Sequence, residues 1–262
     1  MDRLAAFGSA FLTLSVTAGA PALALEPSGT TVGVNPASEA SGATGLRVLD
    51  VQGPVYMGDE IKTDRHGQAQ IQFVDDTRFV VGPSSRVVID SFVFDPNKTA
   101  QDVGISAVKG AFRFITGASP KNAYAIRTPT MTVGVRGTAF DLAVRPGGES
   151  TIAVHEGATR LCDAERTCIE AESGDVVVSP PGGGFRTVSG LERQRRLAVF
   201  FPFIRPRADL QPEFRVPSPV NIPDDSDNDD RNREASRDRP ARNDPPDGRP
   251  PDGRPPDGRP PR

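Results

Sequence analysis

The side chains able to do acid–base, nucleophilic or metal chemistry are few in this 262-residue chain: two histidines, two cysteines and three methionines, with no tryptophan. His66 sits in a polar Asp-Arg-His-Gly-Gln stretch, and His155 closes an apolar alternation just before Glu156. A histidine beside a carboxylate can move protons. Neither histidine comes with a GxSxG, HExxH or SxxK pattern, so both read as surface residues. A pair of carboxylates for glycoside hydrolysis leaves no sequence signature, which keeps a carbohydrate-active enzyme as a remote alternative. Haem, iron–sulfur and zinc-cluster sites need more Cys or His ligands than exist here, and no cofactor is expected. Asp225, Asp227 and Asp229 have calcium-loop spacing, but Asp230 stands where the loop needs Gly and Ser236 where it needs Glu. That run reads as a solvated acidic stretch. The net charge of −3 comes without a basic domain, which excludes a protein built to grip nucleic acid.

Cys162 and Cys168 flank Asp-Ala-Glu-Arg-Thr. On a hairpin they would face each other across the strands, and in an oxidising compartment they should pair. Closing so short a loop contributes about 2 kcal/mol in the chain-entropy model.

The N-terminus points to that compartment. Arg3 precedes an apolar run from Leu4 to Val16, and Ala22-Leu23-Ala24 forms an A-x-A cleavage site. Residues 1–24 are expected to be a signal peptide cut after Ala24, which places the chain in the periplasm or at the cell surface. No other stretch is long and apolar enough to span a membrane. The C-terminal end is different in kind. Residues 205–262 hold 14 of the 26 prolines, with 12 arginines against 13 acids, and Pro-Pro-Asp-Gly-Arg occurs three times from 245 to 259. So few apolar residues cannot bury a core, and a disordered, partly polyproline-II tail is expected over 205–262.

Between these ends the pattern is all β. Ile71 and Phe73 alternate with Gln70 and Gln72. Phe79 with Val81, Val87 with Ile89, and Phe92 with Phe94 continue the period. Met131, Val133 and Val135 are followed by Phe140, Leu142 and Val144, then Ile152 and Val154. Turn residues separate the runs at Gly58-Asp59, Gly82-Pro83, Pro146-Gly147-Gly148 and Ser173-Gly174-Asp175. Ten to thirteen short strands predict a β-sandwich, a roll or a short solenoid over 45–190. The expected organisation is a flexible linker at 25–44, this domain, a basic-then-apolar closing segment at 191–204, and the tail. The closing segment could dock as a helical turn or a strand, or lie on a membrane surface.

Four stretches carry a resemblance. Val-Gln-Gly-Pro-Val-Tyr-Met-Gly-Asp-Glu-Ile-Lys-Thr at 51–63 precedes Ala-Gln-Ile-Gln-Phe-Val-Asp-Asp-Thr-Arg-Phe at 69–79. Thr-Pro-Thr-Met-Thr-Val-Gly-Val-Arg-Gly-Thr-Ala-Phe at 128–140 and Thr-Ile-Ala-Val-His-Glu-Gly-Ala at 151–158 follow. In order and spacing these resemble the FecR domain. Its GD-x-I-x-T box matches Gly58, Asp59, Ile61 and Thr63. Its TP and RGT box matches Thr128, Pro129, Val133, Val135, Arg136, Gly137, Thr138 and Phe140. A later EG step matches Glu156 and Gly157. Asp76-Thr77 stands where the family usually turns on a Gly-Ser-like pair.

The family's best-known members resemble iron-uptake regulators with a cytoplasmic anti-sigma segment, one span and a periplasmic sensor half. Only three residues precede the apolar run here. The resemblance therefore implies the exported, sensor-like module alone, with any signal passing to a separate membrane partner. The expected class is a non-enzymatic binding or scaffold module of the bacterial envelope, with a periplasmic sensor component as the alternative. Its partner would be another envelope protein or a wall polymer. The motif residues read as structural: Arg136 is expected to lock the fold through an acid such as Asp59 or Asp141, with a ligand-binding arginine as the alternative.

Overall fold

A computed structural model describes residues 25–94, 100–118, 124–204 and 209–217. The expected signal peptide, the acidic run at 223–230 and the Pro-Pro-Asp-Gly-Arg repeats lie outside the described residues, as do the side chains of Phe92 and Phe94.

The described strands are β1 (Gly29–Asn35), β2 (Ser38–Gly42), β3 (Gly45–Val48), β4 (Pro54–Val55), β5 (Glu60–Thr63), β6 (Gln68–Phe73), β7 (Arg78–Val81) and β8 (Arg86–Phe94). They continue with β9 (Ala100–Ile115), β10 (Tyr124–Arg127), β11 (Thr132–Val144), β12 (Ser150–Cys162), β13 (Cys168–Glu172), β14 (Val176–Ser179) and β15 (Arg186–Thr187). One α-helix, α1 (Gly190–Phe200), and a 3-10 turn at Pro212–Phe214 follow.

Three long strands organise the fold: β9 with 16 residues, β11 with 13 and β12 with 13. Each changes partners midway. β9 pairs β8 and β10 in its first half, then β7 and β11 in its second. β11 leaves β10 for β9, and β12 leaves β14 for β13. The changes fall at Gly110, Gly137 and Gly157, with φ of 110°, 71° and 74°, values that glycine adopts without a Cβ penalty. The long strands thus turn corners from one layer to the other, as in sandwiches whose strands switch sheets at bends. One layer runs β3–β2–β5–β8–β9 and on through β10; the other holds β4–β1–β6–β7–β9 and β14–β15.

One apolar core fills the space between the layers. Ile61, Ile89, Ile105 and Val133 come from the first, and Ile71, Phe79, Phe112, Leu142 and Val154 from the second. Within it Phe114 stacks on Phe140 at 5.4 Å between centroids and takes Tyr124 edge-on at 5.5 Å. Every pairing except β9–β10 is antiparallel, so the all-β architecture takes the sandwich-or-roll form.

The expected boundaries shift at both ends. Residues 29–42 are not a linker, because β1 lies between β6 and β4 and β2 lies between β3 and β5. Gly-Thr-Thr-Val-Gly-Val buries alternate positions with small side chains, a weak apolar signal that nonetheless fits a close-packed sheet. At the other end the closing segment forms α1, and residues 209–217 return to the domain. α1 and the chain after it cover the second layer's outer face. Leu197 and Phe201 pack on Ala143, Ala153, Val176 and Val178, while Phe203, Leu210 and Phe214 pack on Val80 and Ala111. That layer is therefore buried on both faces.

Ion pairs fasten α1. Arg196 meets Glu149 at 2.9 Å and Glu192 at 3.0 Å, and Arg186 meets Glu192 at 2.7 Å. Hydrogen bonds from Arg186 and then Arg196 pull the Glu192 carboxyl down to about 2.

Candidate functional site

The motif residues gather at the corners and turns. The Gly137 and Gly157 bends touch: a Cβ at Gly157 would collide with the Gly137 carbonyl oxygen. Thr138 N–H donates to Thr116 Oγ1 at 2.8 Å, and Thr116 Oγ1 donates to Thr138 C=O at 2.8 Å. These bonds pin β11 at its corner to the end of β9. Val133, Val135 and Phe140 point into the core on either side. Thr128 organises the turn between β10 and β11: Met131 N–H donates to its Oγ1 at 3.0 Å and Ser150 Oγ at 2.8 Å. Pro129 and Glu156 are exposed. The Arg136 side chain lies outside the described residues.

The Gly58–Thr63 box works in the same way. Gly58 turns at φ 83°. Asp59 is fully buried, accepts Tyr56 N–H at 2.7 Å, and is bound by Arg47 through both carboxylate oxygens, with Arg47 Nη1 3.1 Å from Oδ1. Arg47 also lies over the Tyr56 ring at 5.0 Å. Ile61 enters the core. Thr63 Oγ1 donates to Gly82 C=O at 2.6 Å and accepts Ser85 N–H at 2.9 Å, tying β5 to the turn after β7.

A second polar group, absent from the motif reading, lies on the covered outer face. Arg113 on β9 stands opposite Asp141 on β11 in register. Its Nε and Nη2 donate to the two carboxylate oxygens at 2.7 and 2.8 Å, and both side chains are buried. Remaining donors reach the returning chain, Nη2 to Phe203 C=O at 2.9 Å and Nη1 to Phe214 C=O at 3.3 Å. Gln70 on β6 reads the same segment. Its side-chain NH2 donates to Asp209 C=O, and its side-chain oxygen accepts Gln211 N–H, both at 2.8 Å. His155 is buried beside this pair, with Nε2 3.2 Å from Asp141 Oδ2 but off the line of a hydrogen bond. Burial opposes the charge on Asp141. The Arg113 charge and hydrogen bonds, with His155 behind them, outweigh that and hold the carboxyl below its ordinary range.

One sequence expectation changes here: His155 is a core residue, not a surface one. Asp59 is bound by Arg47 and Asp141 by Arg113, and the expected pairing of Arg136 lies outside the described residues. His66 stays exposed in the turn after β5. Cys162 and Cys168 face each other across β12 and β13 and form a disulfide. Among the described residues no helix is long and apolar enough to cross a membrane. Arg113, Asp141 and Gln70 are occupied by one another and by backbone groups. The arrangement can hold a peptide segment against a sheet; it offers no solvent-facing acid–base pair.

Residues 59–160 match the family model described as FecR protein. Two crystal structures of a candidate anti-sigma factor from Parabacteroides distasonis ATCC 8503, at 1.65 and 2.50 Å resolution, are similar in part. The first shares 13% identity with a TM-score of 0.40, covering 53% of this chain and 63% of that one. The second shares 14% with a TM-score of 0.39, covering 50% and 59%. This chain thus spans less than two thirds of either. No curated protein matches. The matched residues hold the Asp59–Thr63 box and the Gly137 and Gly157 bends, so this part of the β domain is similar to the FecR family.

Proposed function

We propose that the chain is a non-enzymatic regulatory module of the bacterial envelope, a sensor-type FecR domain that acts by binding another protein. The observation that carries this is the family match over residues 59–160. Asp59, Thr63 and Thr128 spend their side-chain polar groups on the domain's own turns and ion pairs, which supports a binding scaffold over a reaction centre. Export to the periplasm is part of the reading. It rests on the Ala22-Leu23-Ala24 step after an apolar run and is supported by the Cys162–Cys168 disulfide, which suits an oxidising compartment. A wall or surface polymer is the alternative partner.

The test is genetic. Deleting the gene should change a defined set of transcripts, and the full chain supplied in trans should restore them. A chain lacking residues 1–24 should not. Transcripts that stay unchanged on deletion would overturn the regulatory reading. Restoration by the leaderless chain would overturn export.

A further inference from the structure

Four sheet edges end among the described residues, and three are blunted. β4 begins with Pro54 and has two residues. β15 has two residues, Arg186 and Thr187, and runs into α1. β13 turns Glu170 and Glu172 to solvent. Short length, proline and charge are the usual means by which proteins keep sheet edges from pairing with other chains.

β3, four residues long, has no proline, and its one charge, Arg47, is bound to Asp59 on the opposite face. It pairs only with β2, and its outward side chains are Leu46 and Val48, each 71% exposed. Val51 and Met57 follow, so four of the nine exposed large apolar side chains among the described residues fall within residues 46–57. The backbone of this edge is poised as well. The bond from Leu49 N–H to Ser38 C=O at 2.9 Å sets the alternation of the β2–β3 ladder. Arg47 is then hydrogen-bonded toward Ala40, and Leu46 and Val48 aim their N–H and C=O groups away from β2. Arg47 points to the opposite face and is fixed on buried Asp59, which holds the edge in place.

We propose that β3 is a self-association edge whose occupant is the β3 strand of a second copy of this chain. The pattern is self-complementary. An antiparallel pairing with Arg47 on the two-fold axis sets Leu46 opposite Val48 of the partner subunit, and Val48 opposite the partner's Leu46. The outward N–H and C=O groups then meet their complements, and four apolar side chains close over one face. On the other face each Arg47 already carries its own Asp59, so the axis brings together two neutralised pairs and no bare like charges. The contact is small, and association is therefore concentration-dependent.

Sedimentation of the full chain over a concentration series should show mass rising from monomer toward dimer. Hydrogen exchange on the same samples should slow at the Leu46 and Val48 amides as concentration rises. The Arg47 amide, already bonded within the chain, should stay constant. A chain with Leu46→Lys and Val48→Lys should dimerise about tenfold or more weakly, since lysines would face each other across the seam. Both changed residues are exposed, so an unchanged Arg47 amide in that variant verifies its fold. A monomer at every concentration with unchanged exchange at Leu46 and Val48 would overturn the proposal. So would a dimer that survives both lysines, which places the contact elsewhere, or protection that appears only on adding a different envelope protein.

Discussion

Arg113 and Asp141 form a buried, two-point ion pair across β9 and β11, and the same guanidinium holds the carbonyls of Phe203 and Phe214. The pair thus joins the middle of the sheet to a segment 90 to 101 residues further along the chain. Buried pairs of this kind contribute little over an apolar replacement but cost much when one partner is lost.

Arg113→Met should therefore lower unfolding free energy by about 3–5 kcal/mol, because Asp141 is left buried without its cation. The double change Arg113→Met with Asp141→Leu should recover part of that loss. Denaturant unfolding of the three chains measures it. A double variant as unstable as the single one would show that the carbonyls of Phe203 and Phe214, not the charge, dominate.

The same carboxyl sets an acid limit. Asp141 is held below its ordinary range in the folded chain, while the unfolded value is about 3.9. A depressed folded value gives stability that is complete above the unfolded one and is lost as pH falls through the folded one. Glu149, lowered by Arg196 and Arg145 against its burial, has the same sign. Stability of the natural chain should fall steeply below about pH 4. An Asp141→Asn chain should be weaker at neutral pH and show a shallower acid decline. Parallel acid profiles in the two chains would contradict this.

Replacing Cys162 and Cys168 by serine should cost about 2 kcal/mol, the entropy of a short closed loop, and leave the fold intact. The bridge sits at the β12–β13 hairpin end, and the core lies between the layers. Thermal melting before and after the change checks it. Loss of cooperative unfolding would mean the hairpin nucleates the domain.

The inner faces were legible because their period is two: Met131, Val133, Val135 and then Phe140, Leu142, Val144 all enter the core. Gly58 was legible as a turn, and it takes positive φ. Gly137 was legible only as a motif residue, and it and Gly157 prove to be bends at positive φ inside β11 and β12. β1 was hidden by small residues that alternate weakly. Arg113, Gln70 and His155 occupy the face that a sandwich strand ordinarily gives to water. Their cover arrives from 90 or more residues away for Arg113 and 139 or more for Gln70. No local pattern records such a cover. Leu210 and Phe214 were masked in turn by the prolines and charges around them.

A chain ending at Pro217 should melt like the full chain. A chain ending at Ile204 loses Leu210 and Phe214 and leaves Gln70 without its backbone partners, and should be less stable by about 3 kcal/mol or more. Equal melting of the two truncated chains would show that residues 209–217 rest on the sheet without contributing to it.

Binding by the β domain itself is tested most directly by in-cell cross-linking, with captured proteins quantified for the full chain and for the chain ending at Pro217. The account predicts that both capture the same envelope protein in equal yield, because recognition resides in residues 25–217. Capture by the full chain alone, with the shorter chain folded and exported, would place recognition in the tail and contradict the account.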